Sequence, residues 1–309
     1  MPHRGARQVS RSRLSPLSAI VGALALGVAA EHSRASCPPA GWDEASLLTL
    51  KSEGFALEES LRPALALGLL DCLADPRPAL RDGIAFEALS AWMRAGQLDA
   101  ANLRALKPRL LAQLQAEDPQ GVARPFAALV LAELSRTDRI APWMEASERE
   151  ALVSAAADYL AAVSDYRGFE VDTGWRHGVA HGADWVLQLA LNPTLDAAQL
   201  ARLRDAVGAQ VLAADGHAYV FNEPARLAAP LLFIARRGVF DEADWRRWLL
   251  QFPPRLGEPR ALWSDTAALA ARHNLQALLL TLHFEASRSE DAGIRSLLPG
   301  VVEALQAMP

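Results

Sequence analysis

Residues 75–119 have the sequence DPRPALRDGIAFEALSAWMRAGQLDAANLRALKPRLLAQLQAEDP, and this stretch decides the fold. Between its two Asp-Pro pairs lie two segments, 84–93 and 98–114, that carry leucine and alanine at three- and four-residue spacing. This spacing places the apolar side chains on one face of an α-helix. The second Asp-Pro pair follows the first by 43 residues, which is the length of a helix-pair repeat of the HEAT or armadillo kind.

The same pattern continues on both sides of this stretch. Residues 61–70 and 126–134 again carry apolar residues at helical spacing, and each segment stops near proline, glycine or aspartate. Alternating β-branched residues are nearly absent, and Tyr219-Val220-Phe221 is the only short candidate for a strand. We therefore predict an all-α fold of stacked antiparallel helix pairs, as an α-solenoid or a closed α/α toroid, in preference to a simple bundle.

The N-terminus has the pattern of an export signal. Arginines at positions 4, 7, 11 and 13 precede an uncharged apolar run over residues 14–30, which is too short to span a bilayer comfortably. Val28-Ala29-Ala30 has the small residues that a signal peptidase accepts, and Ser33-Arg34-Ala35 is a second possible cleavage site. We expect residues 1–30 to be removed, with an uncleaved membrane anchor as the alternative.

What remains after cleavage, residues 31–309, is expected to be one helical domain in the periplasm or outside the cell, with no stable membrane span. No Gly/Ser linker or run of charges divides it. The whole chain has a net charge of −5, and loss of the four N-terminal arginines makes the mature chain more acidic. Because nucleic acids require a basic surface, this charge argues against nucleic acid as a partner.

Two cysteines, Cys37 and Cys72, are present in the chain. Two cysteines are too few for a four-cysteine metal site. In an oxidising compartment they can form a disulfide, which we prefer to a pair of unlinked thiols. Lipid attachment at Cys37 is disfavoured, because Arg34-Ala35-Ser36 lacks the apolar residue expected before a lipidated cysteine.

Residues 174–184, GWRHGVAHGAD, contain the best candidate for a site. Two of the seven histidines lie four residues apart here, and an aspartate follows three residues later. On a helix, His177, His181 and Asp184 share one face. We predict that Asp172 or Thr173 caps this helix, that Trp175 lies in its first turn, and that it ends before Asn192-Pro193.

A histidine pair at this spacing can bind a divalent metal such as zinc. The residue after His177 is Gly178, however, so the glutamate of the His-Glu-x-x-His motif is missing. Asp184 lies about 10 Å along the helix from His177, so we expect it to orient His181 instead of sharing an ion. A third ligand would come from a pool of five residues: Asp165, His217, Glu223, His273 and His283.

Other interpretations of this stripe remain open. It can line a metal-free acid–base cleft, form a solvated helix face, or be a buried hydrogen-bonding pair. Gly178 and Gly182 each cost about 1 kcal/mol of helix propensity relative to alanine, which indicates that a neighbouring backbone or a ligand approaches there.

Three stretches carry a resemblance to a bacterial family of unknown function. They are Asp165-Tyr166-Arg167-Gly168-Phe169, the motif Gly174-Trp175-x-His177-x-x-Ala180-His181-x-x-Asp184, and more loosely Arg226-Leu227 with Arg272-His273-Asn274. The chain resembles this family over most of its mature length. The resemblance implies an all-helical domain and brings no reaction, substrate or cofactor. The candidate binding residues are Trp175, Arg167, Arg226, His273 and Asn274.

Trp245 and Trp248 enclose Arg246 and Arg247. They can form an aromatic and cationic binding surface, but three-residue spacing in an amphipathic helix favours core packing. The sequence contains neither a Gly-rich phosphate loop nor a Gly-x-Ser-x-Gly nucleophile elbow.

Two functional hypotheses follow. The first is an exported helical-repeat protein with a binding or structural role, whose concave face holds a polypeptide, a glycan or a small molecule. The second is a metal-dependent or acid–base hydrolase that acts on envelope or extracellular material. In it, His177 or His181 is the acid–base group or metal ligand, Asp184 orients it, and Asp165 supplies a second carboxylate. We favour the first, because the sequence lacks a complete catalytic set.

Overall fold

The computed structural model describes residues 37–309, so the predicted export signal lies outside the described residues. Most of this range is helical, which confirms the all-α prediction. The helices are α1 (Glu44–Ser52), α2 (Arg62–Cys72), α3 (Pro78–Leu80), α4 (Glu87–Arg94), α5 (Ala100–Gln115), α6 (Ala123–Ile140), α7 (Ala146–Ala162), α8 (Gly178–Ala190), α9 (Ala197–Ala209), α10 (Glu223–Arg236), α11 (Glu242–Leu249), α12 (Pro259–Leu262), α13 (Thr266–Arg288), α14 (Ala292–Arg295) and α15 (Leu298–Gln306). A π-helical turn, Arg81–Phe86, leads into α4. None of the helices in the described range is both long enough and apolar enough to cross a bilayer.

Neighbouring helices pack in pairs, as predicted. Helix α5 packs against α6, α7 against α8, and α9 against α10. Helices α4, α6, α8, α10 and α13 also pack one on the next, and we call them the front row. Helices α5, α7, α9 and α11 lie behind them and form the back row, in which α7 packs on α9. Helix α8 is therefore surrounded by α6, α7 and α10, and its apolar face lies in the core.

Three back-row helices differ from two front-row helices in how they begin. In the back row, α5, α9 and α11 each follow an aspartate whose side chain accepts a hydrogen bond from the first turn: Asp99, Asp196 and Asp241. An acidic cap suits the positive end of the helix dipole. In the front row, α8 and α10 begin after His177 and Asn222, which have positive φ angles of 57° and 71° and provide no side-chain cap. The starts of α8 and α10 are thus set by the loops that precede them, whereas α13, which is also in the front row, is capped by the side chain of Asp265.

The strands of the described range form one small hairpin, β1 (Phe169–Glu170) and β2 (Gly174–Trp175), which pair antiparallel with Phe169 opposite Trp175. The predicted strand at residues 219–221 is wrong, because this segment is an irregular loop. Its backbone is bound by the side-chain amide of Asn274, which accepts a hydrogen bond from Tyr219 N at 2.8 Å and donates one to His217 O at 2.8 Å. The side-chain amide of Asn274 therefore makes hydrogen bonds to this backbone that a neighbouring strand would otherwise make.

The predicted disulfide between Cys37 and Cys72 is confirmed, with Cα atoms 5.0 Å apart and a sequence separation of 35. Cys72 is the last residue of α2 and is fully buried in the core. The bond ties the beginning of the described chain to α2.

We predict that replacing both cysteines, Cys37→Ala with Cys72→Ala, lowers the free energy of unfolding by about 3–4 kcal/mol, because the unfolded chain regains the entropy of an open loop. Urea unfolding measures this difference. Reductant should lower the stability of the wild-type protein by a similar amount and leave the double variant unchanged. Equal stability of the oxidised wild type and the double variant would contradict the prediction.

Candidate functional site

Helix α8, which carries the histidine pair, begins later than the sequence predicts. Trp175 belongs to β2, and neither Asp172 nor Thr173 caps the helix, which starts at Gly178. The reason is the hairpin, because its ladder continues beyond β2. Arg176 N donates to Gly168 O at 3.0 Å, and His177 N donates to Arg167 O at 3.2 Å. Residues committed to this pairing cannot also form the first turn of a helix.

A buried arginine holds the hairpin in place. Arg81 is fully buried, and its Nη2 donates to the carbonyl oxygens of Thr173 at 2.7 Å and Trp175 at 3.2 Å. Its remaining donors are bound within its own segment, to Asp75 O, Pro76 O and the Asp82 carboxylate. A buried guanidinium is tolerated only when its N–H groups are satisfied. Here the guanidinium joins the chain before α4 to the chain before α8.

Asp165 and Arg167 bind each other beside the hairpin. Arg167 Nε lies 2.8 Å from Asp165 Oδ1, and its Nη2 lies 2.5 Å from Oδ2. Burial raises the pKa of Asp165, but the hydrogen bonds and charge of Arg167 outweigh it and hold this pKa below its ordinary value. A Cβ on Gly121 would lie 2.3 Å from Asp165 Oδ2, so the pair lies directly against Gly121. Asp165 is therefore an ionised partner of Arg167.

His177 lies under the indole of Trp175. The two rings stack with centroids 4.6 Å apart and an angle of 27° between their planes. His177 Nε2 donates to Phe221 O at 3.0 Å and lies 3.8 Å from the buried carboxylate of Glu223. Burial lowers the pKa of His177, and the hydrogen bond to Phe221 and the charge of Glu223 oppose this shift.

His181 lies one turn further along α8, with its ring centroid 5.9 Å from that of His177. It is buried, and it meets the ring of Phe126 edge-on at 5.1 Å. Burial lowers its pKa to about 3, so the imidazole is neutral at physiological pH. Its Nδ1 lies 3.2 Å from Pro125 O, which can only accept, so Nδ1 carries the proton and Nε2 is left as an acceptor.

The prediction that Asp184 orients His181 is wrong. Asp184 instead forms a two-point ion pair with Arg226 of α10, through Nε at 2.9 Å from Oδ1 and through Nη2 bound to Oδ2. Burial raises the pKa of Asp184, and the guanidinium of Arg226 opposes this shift. Pro125 O, and not a carboxylate, sets the orientation of His181.

A cleft of about 340 Å³ runs along the front row, and we call it the front cleft. Residues from four successive elements line it: the segment 86–94, α6, α8 and α10. Its polar lining residues are Arg94, Glu133, His181, Asp184, Gln188 and Arg226. His181, Asp184 and Gln188 of the predicted stripe thus do line a cavity, whereas His177 is not among the residues that line it.

Two arginine–carboxylate pairs of the same design lie in the front cleft. Arg94 binds Glu133 through Nε at 2.9 Å and Nη2 at 2.5 Å, just as Arg226 binds Asp184. The carboxylate side chains of Glu133 and Asp184 are 11% and 21% exposed, whereas the arginine side chains are 57% and 40% exposed. Within residues 37–309, Nη1 of neither arginine makes a hydrogen bond. Each carboxylate, buried in Glu133 and partly buried in Asp184, therefore fixes one edge of a guanidinium and leaves its outer edge available.

The predicted metal ligands are not gathered around one point. Among the residues that the structure describes, no three His, Cys, Asp or Glu side chains lie close enough to hold an ion together. Glu223 of the ligand pool approaches His177, while His217 stacks on Tyr166 at 5.0 Å. The structure brings the two histidines together and supplies no third ligand from this pool.

The predicted binding residues His273 and Asn274 do not line the front cleft and instead contact the loop that contains Tyr219. Asn274 is 1% exposed and binds the backbone of residues 217–219, and His273 Nε2 lies 3.3 Å from Tyr219 O. The same loop continues to Phe221, whose carbonyl oxygen accepts the hydrogen bond from His177. These side chains therefore position the loop that orients His177.

The two glycines of the motif are explained by helix packing. A Cβ on Gly182 would lie 3.0 Å from side-chain atoms of both Tyr159 and Leu160, and one on Gly178 would lie 3.3 Å from Val163. The groups that approach α8 at these glycines are therefore side chains of α7 and of Val163, which follows it. The sequence led us to expect a backbone or a ligand there.

Sequence reasoning missed Arg94 and Glu133. One signal was available, because Glu133 is the lone charged residue within the apolar helical run 126–134. A carboxylate in such a run faces the core and needs a cation. Nothing in the sequence indicates that this cation is Arg94, 39 residues earlier.

Burial of His181 predicts a pH-dependent stability. In the unfolded chain its pKa is 6.5, whereas in the folded protein it is about 3. As pH falls below 6.5 the unfolded state takes up a proton that the folded state does not, so stability is present above that pH and lost below it. Between about pH 7 and pH 5 the loss from this group is up to about 2 kcal/mol.

Urea unfolding at both pH values measures this loss in the wild type and in His181→Gln, which we expect to lose correspondingly less stability on acidification. His283→Gln on α13 is the matched control and should keep the wild-type pH dependence. Identical pH dependence in His181→Gln and the wild type would show that His181 is not held neutral.

A family model described as "Protein of unknown function (DUF2785)" matches residues 110–284, which cover more than half of the chain. This range includes the Gly174–Asp184 motif, Glu133 and Arg226, and it begins after Arg94. No curated protein and no solved structure matches the chain.

Proposed function

The chain belongs to the DUF2785 family, whose function is unknown, and we propose that it is an exported protein that binds a ligand in the front cleft. The observation that carries this proposal is the pair of guanidinium groups, Arg94 and Arg226, each fixed by a carboxylate at two points and each with a free outer edge. Binding sites of this kind combine a concave surface with a few polar groups that are already oriented.

Export is supported by two features of the chain. The basic and apolar N-terminal sequence has the pattern of a cleaved signal. The Cys37–Cys72 disulfide is of a kind that persists in oxidising compartments. We place the mature protein in the periplasm or outside the cell.

The chemistry of the front cleft favours a ligand with an acidic group. An arginine that presents two N–H donors on one edge recognises a carboxylate or a phosphate in two-point geometry. The neutral His181 supplies a hydrogen-bond acceptor on the same wall. A volume of about 340 Å³ suits a small molecule or the end of a polypeptide or glycan chain.

The hydrolase alternative requires its candidate residues to meet at one reacting centre. Of His177, His181, Asp184 and Asp165, two line the front cleft, namely His181 and Asp184. His177 is stacked under Trp175, and Asp165 is bound to Arg167 beside Gly121. This separation favours binding over hydrolysis as the role of the cleft.

Titration calorimetry with succinate, at constant ionic strength, tests the proposal. We expect saturable binding to the wild type and at least a tenfold loss of affinity in Arg226→Gln/Asp184→Asn, because the guanidinium is removed without leaving a buried charge unpaired. The matched control is Arg246→Gln/Glu303→Gln, which removes a two-point ion pair of the same design outside the cleft and should bind as the wild type does. No saturable heat up to about 10 mM succinate, or equal losses in both double variants, would overturn the proposal.

Elemental analysis of the purified mature protein separates the two functions. We expect no stoichiometric metal in the wild type or in His181→Ala. Stoichiometric zinc that is lost in His181→Ala would instead support the metal-dependent hydrolase.

A further inference from the structure

A second cavity, of about 600 Å³, lies in the back row, and we call it the back groove. Helices α9 and α11 and the segment 250–255 form its walls. Three arginines line it, Arg204, Arg247 and Arg255, together with the side chains of Trp248 and Phe252. The residues that line it are distinct from those of the front cleft.

The back groove explains the tryptophan pair that the sequence singles out. Trp245 is fully buried and Trp248 is 6% exposed, so both pack in the core, as the spacing favours. Arg204 lies against these rings, with its guanidinium carbon 4.5 Å from the ring centroid of Phe240 and 5.7 Å from that of Trp248. The aromatic surfaces hold the guanidinium in one position at the wall of the groove.

The outer donors of Arg204 remain available. Its Nε donates to Asp205 Oδ1 at 3.0 Å, and the same oxygen accepts a hydrogen bond from Trp248 Nε1 at 3.0 Å. Across the described chain, Nη1 and Nη2 of Arg204 form no hydrogen bond, although the side chain is 14% exposed. A guanidinium that is held against aromatic rings, with both Nη atoms unpartnered and open to the groove, can bind an anion there.

The rim of the groove adds positive charge. Arg247 pairs with Asp244 at 2.6 Å and is otherwise exposed, and Arg255 forms no ion pair with any described residue. Three arginines face two aspartates, so the groove is net positive on a chain whose net charge is −5. This local excess attracts anions and opposes the charge of the rest of the surface.

We propose that the back groove binds the oxyanion group, phosphate or carboxylate, of a small molecule. The oxyanion takes the Nη donors of Arg204 and the charge of Arg255. Because about 600 Å³ is larger than a single oxyanion, the groove has room for the remainder of the ligand. This site is independent of the ligand proposed for the front cleft.

Two-dimensional NMR of the tryptophan indole N–H groups tests this proposal, with inorganic phosphate and acetate as probes at constant ionic strength. We expect a saturable shift of the Trp248 Nε1–H signal, because its acceptor Asp205 also binds Arg204. Arg255→Gln, at an exposed position, should weaken phosphate binding at least tenfold without affecting the fold. Saturable binding of either probe supports the proposal. The probe that binds more tightly then indicates whether the ligand is phosphorylated or carboxylated.

The matched control is Arg246→Gln. Arg246 is next to Arg247 in sequence but pairs with Glu303 of α15, so its loss should leave phosphate binding unchanged. Arg226→Gln/Asp184→Asn should also leave it unchanged, which separates this site from the front cleft. Absence of a saturable Trp248 shift with both probes, or equal weakening by Arg246→Gln and Arg255→Gln, would overturn the proposal.

Discussion

The hydrogen bonds of one buried guanidinium, that of Arg81, connect two chain segments that lead into front-row helices. They join the segment before α4 to the hairpin before α8. The same guanidinium lies 4.7 Å from the ring centroid of Phe126, and the ring of His181 meets that of Phe126 edge-on. A buried cation is costly unless every donor is bound. The position of the hairpin, and with it the start of α8, therefore depends on this arginine.

The polar groups of the front row also hold its helices together. Arg94 and Glu133 connect α4 to α6, His181 connects α8 to α6 through Pro125 O, and Asp184 connects α8 to Arg226 of α10. Each contact joins neighbouring helices where their apolar faces end, and each leaves a guanidinium edge or an imidazole nitrogen available. The residues that stabilise the row are thus the ones that give the front cleft its chemistry.

The sequence predicted what depends on local periodicity and failed where partners lie far apart in the chain. Helical spacing was sufficient for the α-helices, and two cysteines in a chain with a predicted export signal were sufficient for the disulfide. The start of α8 could not be predicted, because it is set by backbone pairing of residues 167–168 with 176–177 and by Arg81, 92 residues before Thr173. His181 and Asp184 of the stripe on α8 line one cavity. Their partners Pro125 and Arg226 are 56 and 42 residues away, so periodicity carries no information about them.

Hydrogen–deuterium exchange across residues 165–182 tests most directly whether Arg81 sets the start of α8. Arg81→Lys keeps the charge but cannot reproduce the planar array of donors, whereas Arg77→Lys changes an exposed arginine of the same segment. We expect the amides of Arg176 and His177 to exchange at least tenfold faster in Arg81→Lys, with α13 unaffected and Arg77→Lys equal to the wild type. Unchanged protection of these two amides in Arg81→Lys would contradict the account.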